Sequence, residues 1–107
     1  MKALFMSALV LSSASVVAAE NDNFKAEGKV AELQAVVERD TALRVTLEKA
    51  PPLCGNTWTY AYIGEKDDNF KGTLELLQLA KSTKAPVMLV SRRDGQGYCK
   101  LLSVTVR

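Results

Sequence analysis

The chain has 107 residues, with 14 basic and 12 acidic side chains, no histidine and a net charge of +2. That length holds one domain at most. The near balance of charge gives no electrostatic footprint for nucleic acid or for an anionic membrane surface, and the missing histidine removes the most frequent general base and metal ligand.

Met1-Lys2 is a short basic start, and Ala3 to Leu11 is an apolar run too short to span a bilayer. Ser12 to Ala19 is rich in small residues and closes with Val17-Ala18-Ala19, which places signal-peptidase cleavage after Ala19. The alternative, an uncleaved membrane anchor, would want a longer apolar core. Cleavage makes the mature chain residues 20–107, in the bacterial periplasm or outside the cell, without stable membrane insertion. Residues 20–27 are polar and charged and read as a flexible lead-in, leaving 28–107 as the folded domain.

A domain this small buries a limited core and often needs a covalent staple. Cys54 and Cys99 both lie in the mature part, and an exported chain meets an oxidising compartment. They are expected to form one disulfide, stabilising the fold by ~4 kcal/mol in the chain-entropy model. Two free thiols, or a metal pair, would find no histidine beside them.

Gly28 opens the first expected strand, Lys29 to Glu38. Its apolar residues fit two periods: Ala31, Leu33, Ala35 and Val37 alternate, while Val30, Leu33, Val36 and Val37 suit a helix. Strand is preferred because Arg39-Asp40-Thr41 makes a short turn into a clean alternation, Leu43, Val45 and Leu47 against Arg44, Thr46 and Glu48. Ala50-Pro51-Pro52 ends that strand, since proline cannot donate to a ladder. Thr57 to Ile63 is aromatic and β-branched and predicts a third strand, with Trp58, Tyr60 and Tyr62 on one face and Ala61 and Ile63 on the other. Either face could line the core.

Leu74, Leu76, Leu77 and Ala80 then recur at helical spacing. Asp67, Asp68, Asn69 and Thr73 are candidate N-caps, Lys81 and Lys84 suit the C-terminal end, and Pro86 prevents continuation. Val87 to Ser91 is a continuous apolar run that predicts a buried fourth strand. Arg92 to Gly97 is a turn with two glycines. Tyr98 to Val106 is the fifth strand, with Leu102, Val104 and Val106 on one face. The order is mainly β with one helix, β-β-β-α-β-β, which is that of the five-stranded Greek-key barrel called the OB-fold. In that barrel the third and fifth strands come close, so a Cys54–Cys99 bond is geometrically reasonable.

With those elements placed, the chain resembles the B subunits of bacterial toxins, the Shiga toxin B family being the nearest. The similar features are Gly28-Lys29-Val30, the strand Leu43 to Leu47, and the helix Leu74 to Ala80 followed by Ser82-Thr83 and Val87. The glycine-containing hairpin into Leu102 to Arg107 also looks alike. The resemblance implies a homo-oligomer, a ring-shaped pentamer that binds host-surface glycans. Phe70 lies one position out of register with that family's receptor-stacking tryptophan, which makes it a candidate ligand contact. Small periplasmic proteins of the same layout without a toxin partner are the other home for the pattern.

The candidate chemistry is that of binding. No glycine-rich phosphate loop, zinc spacing or nucleophile elbow occurs, and adjacent Asp67 and Asp68 read as dipole and cap residues rather than a catalytic pair. The chain is therefore expected to be no enzyme and to need no cofactor. Trp58, Tyr60 and Tyr62 are the strongest pointer, because aromatic rings stack on sugars and the OB-fold presents its second and third strands to ligands. The plainer reading is that these rings fill the barrel. Arg92 and Arg93 beside the glycine turn could hold an anionic group, or simply form a solvated hairpin tip. The expected function is an exported binding module for a glycan or for an envelope or host protein, with no nucleic-acid partner. The alternative is a structural or inhibitory periplasmic protein that binds an envelope enzyme through a sheet edge or the hairpin.

Overall fold

The computed structural model describes residues 22–37, 42–55 and 58–107. The expected signal peptide and the Arg39-Asp40-Thr41 turn lie outside the described residues. The strands are β1 (Asn23–Ala35), β2 (Leu43–Leu47), β3 (Tyr60–Ile63), β4 (Pro86–Arg93) and β5 (Cys99–Val106), and helix α1 (Phe70–Thr83) joins β3 to β4. β1 pairs antiparallel with both β2 and β4, β2 with β3, and β4 with β5. A parallel contact of β3 with β5 closes the sheet in the order β1-β2-β3-β5-β4.

β1 begins earlier than its apolar pattern suggests. Residues 23–27, expected as a lead-in, form the half of β1 that runs beside β4. Phe24 and Ala26 pack against the core while Lys25 and Glu27 are exposed, so the charged residues belong to the outer face of a strand. The second half of β1 pairs with β2, and the register slips between Val30 and Glu32. Ala31 is the extra residue of a β-bulge, which moves the inward phase by one. Val30 and Leu33 therefore both face the core, a three-residue spacing that imitates a helix and breaks simple alternation.

The same device acts in β5. Ser91 pairs with Leu101 and Val90 with Ser103, so Leu102 is the extra residue. Leu101 points inward at 4% exposure and Leu102 is 37% exposed. The expectation that Leu102 shares a face with Val104 and Val106 is thus overturned by the bulge. β4 is longer than expected, because Arg92 and Arg93 pair with Lys100 and Cys99 instead of turning. β3 is shorter: Thr57 lies outside the described residues, and Trp58 precedes the strand, its carbonyl accepting the Leu53 N–H at 2.8 Å.

Val45, Leu47, Ala61, Leu77, Val87 and Leu89 are the centre of the core, each at most 1% exposed. Burying each of the larger ones contributes about 1.5–3 kcal/mol. Leu77 and Ala80 are the buried residues of α1. Asn69 occupies the N-cap position at φ 61° with no side-chain cap bond, and no acidic residue lies in the first turn. The expected capping by Asp67 is replaced by a turn, in which its carboxylate accepts the Gly64 N–H at 2.7 Å. At the other end Lys84 is left-handed, and its N–H bonds back to Ala80 O before Pro86 starts β4. Cys54 and Cys99 form the disulfide, with Cα atoms 5.8 Å apart, tying the loop before β3 to the start of β5. Such a bond fits an oxidising compartment. Among the described residues, no helix is long and apolar enough to cross a membrane.

Candidate functional site

The orientation of β3 is decided by its smallest side chain. Ala61 is fully buried and Ile63 is 5% exposed, whereas Tyr60 and Tyr62 are half-buried on the opposite face. Period-two alternation then leaves the tyrosines on the outside of the closed sheet. β2 runs beside β3 with Arg44 opposite Tyr62 and Thr46 opposite Tyr60, so the polar alternates of β2 share that outer face.

Three rings and one guanidinium gather there. Trp58 meets Tyr60 edge to face, centroids 5.3 Å apart at 86°, and meets Tyr98 at 5.7 Å and 60°. The Arg44 guanidinium lies 4.6 Å from the Tyr60 ring centre, within cation–π range. Its Nε is buried, with no hydrogen-bond acceptor among the described residues. Trp58 is partly buried and also packs against the core, which fixes the cluster to the sheet.

Tyr62 belongs to a neighbouring polar array. Its hydroxyl donates to Asp94 Oδ2 at 2.6 Å, and Asp94 Oδ1 accepts the N–H groups of Gln96 and Tyr98 at 2.8 and 2.9 Å. Burial, reinforced by the bond to Asp94, raises the Tyr62 pKa well above the ordinary tyrosine value. For Asp94, burial pushes its pKa up, but the Tyr62 and backbone donors outweigh that and hold it below the usual carboxylate range. Asp67 behaves alike: burial opposes ionisation, while the Gly64 N–H and the Lys100 ammonium at 3.0 Å win. Comparison with protein families, with characterised proteins and with solved structures found no match.

The sequence-selected residues thus divide among several places. Trp58 and Tyr60 are together, and Tyr62 faces the same way but is committed to Asp94. Phe70 opens α1 and lines a separate cleft of about 620 Å³ with Tyr62, Asp67, Lys100, Val36 and Val37. Arg92 and Arg93 are not a pair at a hairpin tip. Arg92 follows the outer alternation of β4, while Arg93 follows the inner one and stands 6.0 Å from the Phe24 ring centre. Cys54 and Cys99 are joined. Arg44, Tyr98, Asp94 and Lys100 complete the surface although their residue types alone did not mark them. The signal that could have found Arg44 is its alternation with Leu43 and Val45, which sets it on the opposite face of its strand from the apolar residues. Among the described residues, no group of three or more cysteine, aspartate or glutamate side chains could hold a metal ion.

Proposed function

We propose that the closed sheet is a barrel of the OB type and that the chain is an exported, non-catalytic module that holds a glycan on the outer face of β2 and β3. The strand order, with its parallel β3–β5 closure, supports the barrel type. The observation that carries the function is the inward placement of Ala61 and Ile63, which leaves Tyr60 and Tyr62 on the outer face, with Trp58 against Tyr60. Tyr60, Trp58 and Tyr98 offer ring surfaces for the apolar faces of a sugar. Arg44 beside them supplies donors for ring hydroxyls or a carboxylate.

Binding to immobilised glycans tests this reading. Trp58→Ala and Tyr60→Ala should each weaken capture by about tenfold or more, because one stacked ring contributes about 1–3 kcal/mol. Circular dichroism should show both variants still folded. Normal binding by folded variants would remove the aromatic site. Light scattering on the mature protein addresses the ring-shaped assembly: a pentamer supports multivalent glycan capture, and a monomer removes that part. A second reading, a protein that binds an envelope enzyme, is favoured by the exposed leucines of α1 and β5.

A further inference from the structure

Among the described residues, β5 is paired on one side only beyond Lys100. β4 runs beside it from Cys99 to Val106, while β3 meets it at the single pair Tyr62–Lys100. The Arg107 N–H donates to Pro86 O at 2.9 Å. By antiparallel alternation, Thr105 and Ser103 also exchange bonds with β4, and Val104 and Val106 turn their N–H and C=O groups to the opposite edge. Among the described residues, no strand lies along that edge.

Native proteins blunt such edges with proline, charge or a covering element. From Leu101 to Val106 this one has neither proline nor charge. Helix α1 stands beside it and leaves a groove of about 700 Å³, walled by Thr73 and Leu76 on the helix and Leu101, Leu102 and Val104 on β5. Leu76 and Leu102 are 41% and 37% exposed, and Leu79, farther along α1, is 52% exposed. A side chain added at Gly72, also on the groove wall, would meet open space. Asp67, Asp68 and Lys100 line the groove, and Lys100 pairs with Asp67 at 3.0 Å, so the lining is left acidic by Asp68; Glu75, outside the lining, is exposed three residues after Gly72, at helical spacing.

We propose that this groove receives an extended segment of another protein, added to β5 as a further strand. Its backbone would pair with Val104 and Val106, its apolar side chains would meet Leu76 and Leu102, and a basic residue would meet Asp68 and Glu75. The two features select this occupant together. A row of amide and carbonyl groups at strand spacing is matched by peptide backbone, and the acidic rim calls for a cation. Neither Trp58 nor Tyr60 lines the groove, so the inference stands apart from the glycan reading.

The probe is a short blocked synthetic peptide alternating valine and threonine with a terminal lysine, added to the mature protein and followed by amide hydrogen exchange in NMR. Slower exchange at Val104 and Val106 is expected. Methylating alternate peptide nitrogens, or filling the groove with Gly72→Trp, should weaken binding about tenfold, the loss expected for one or two backbone bonds. Gly72→Ala should leave binding intact. Should Gly72→Trp fail to fold, Leu102→Lys at the exposed bulge serves instead, since it places a cation against the peptide's own. The proposal is overturned if millimolar peptide leaves both amides unprotected, or if neither N-methylation nor the blocking variant matters. It is also overturned if protection appears without peptide and grows with protein concentration, which marks a second copy as the occupant.

Discussion

Gly55 shows most directly how a single residue holds this fold. Its φ of 72° is left-handed, and an added Cβ would overlap the Phe24 ring. Gly55→Ala is expected to cost about 2 kcal/mol or more in urea unfolding. In a Phe24→Leu background the increment should fall to about 1 kcal/mol, the backbone part alone. The Tyr62–Asp94 bond makes a prediction in pH. Asp94 and Asp67 have depressed folded-state pKa values. Their stabilisation is therefore complete above the unfolded aspartate value of about 4 and is lost as pH falls through the folded values. Asp94→Asn should flatten that acid limb in pH-dependent melting. Tyr62 has the opposite sign: its raised pKa stabilises below the unfolded tyrosine value of about 10, and the benefit disappears as pH rises through the folded one. Absorbance titration should show one of the three tyrosines ionising last, and Tyr62→Phe should delete that step.

Helix and strands differ in how much of them can be read from the chain. α1 was legible because Leu74, Leu77 and Ala80 keep one period over the whole element, with Pro86 as a hard stop. β2 was legible for the same reason, its Leu43, Val45 and Leu47 all buried. β1 and β5 were not, because each contains a bulge that resets the inward phase part-way along. A local pattern cannot report a phase change that a partner strand imposes. Likewise, the pairing of Arg92 and Arg93 with β5 depends on residues across the sheet, so adjacency to glycine misplaced them in a turn. The face of β3 was equally hidden: Ala61 and Tyr60 are both acceptable inward residues until α1 and β2 fill the space. At this scale Gly72 offers a clean test of helix propensity. It sits in open space within α1, so Gly72→Ala should raise stability by about 0.5–1 kcal/mol in chemical denaturation.

In the whole molecule the weakest closure is the seam between β3 and β5, with one residue pair where other neighbours share four or more. Three side-chain clasps lie across or beside it: the Cys54–Cys99 disulfide, the Tyr62–Asp94 hydrogen bond and the Lys100–Asp67 ion pair. Replacing both cysteines by serine should cost roughly 4 kcal/mol, and hydrogen exchange should accelerate first at Tyr62 and Lys100.

The position of that seam also bears on the order of assembly. β1, β2 and β3 form a local meander and β4 with β5 a local hairpin, so each unit can form from neighbouring residues. Bringing the units together requires contacts distant in the chain, the slow part of folding for a sheet of this connectivity. The disulfide spans 45 residues and joins one unit to the other. An oxidised chain that has been unfolded therefore keeps its two halves tethered. Its refolding in stopped-flow mixing should be faster than that of the reduced chain, with a smaller change in the unfolding rate. The cystine thereby gives this small domain a memory of its topology, so that recovery after unfolding begins from a partly closed ring.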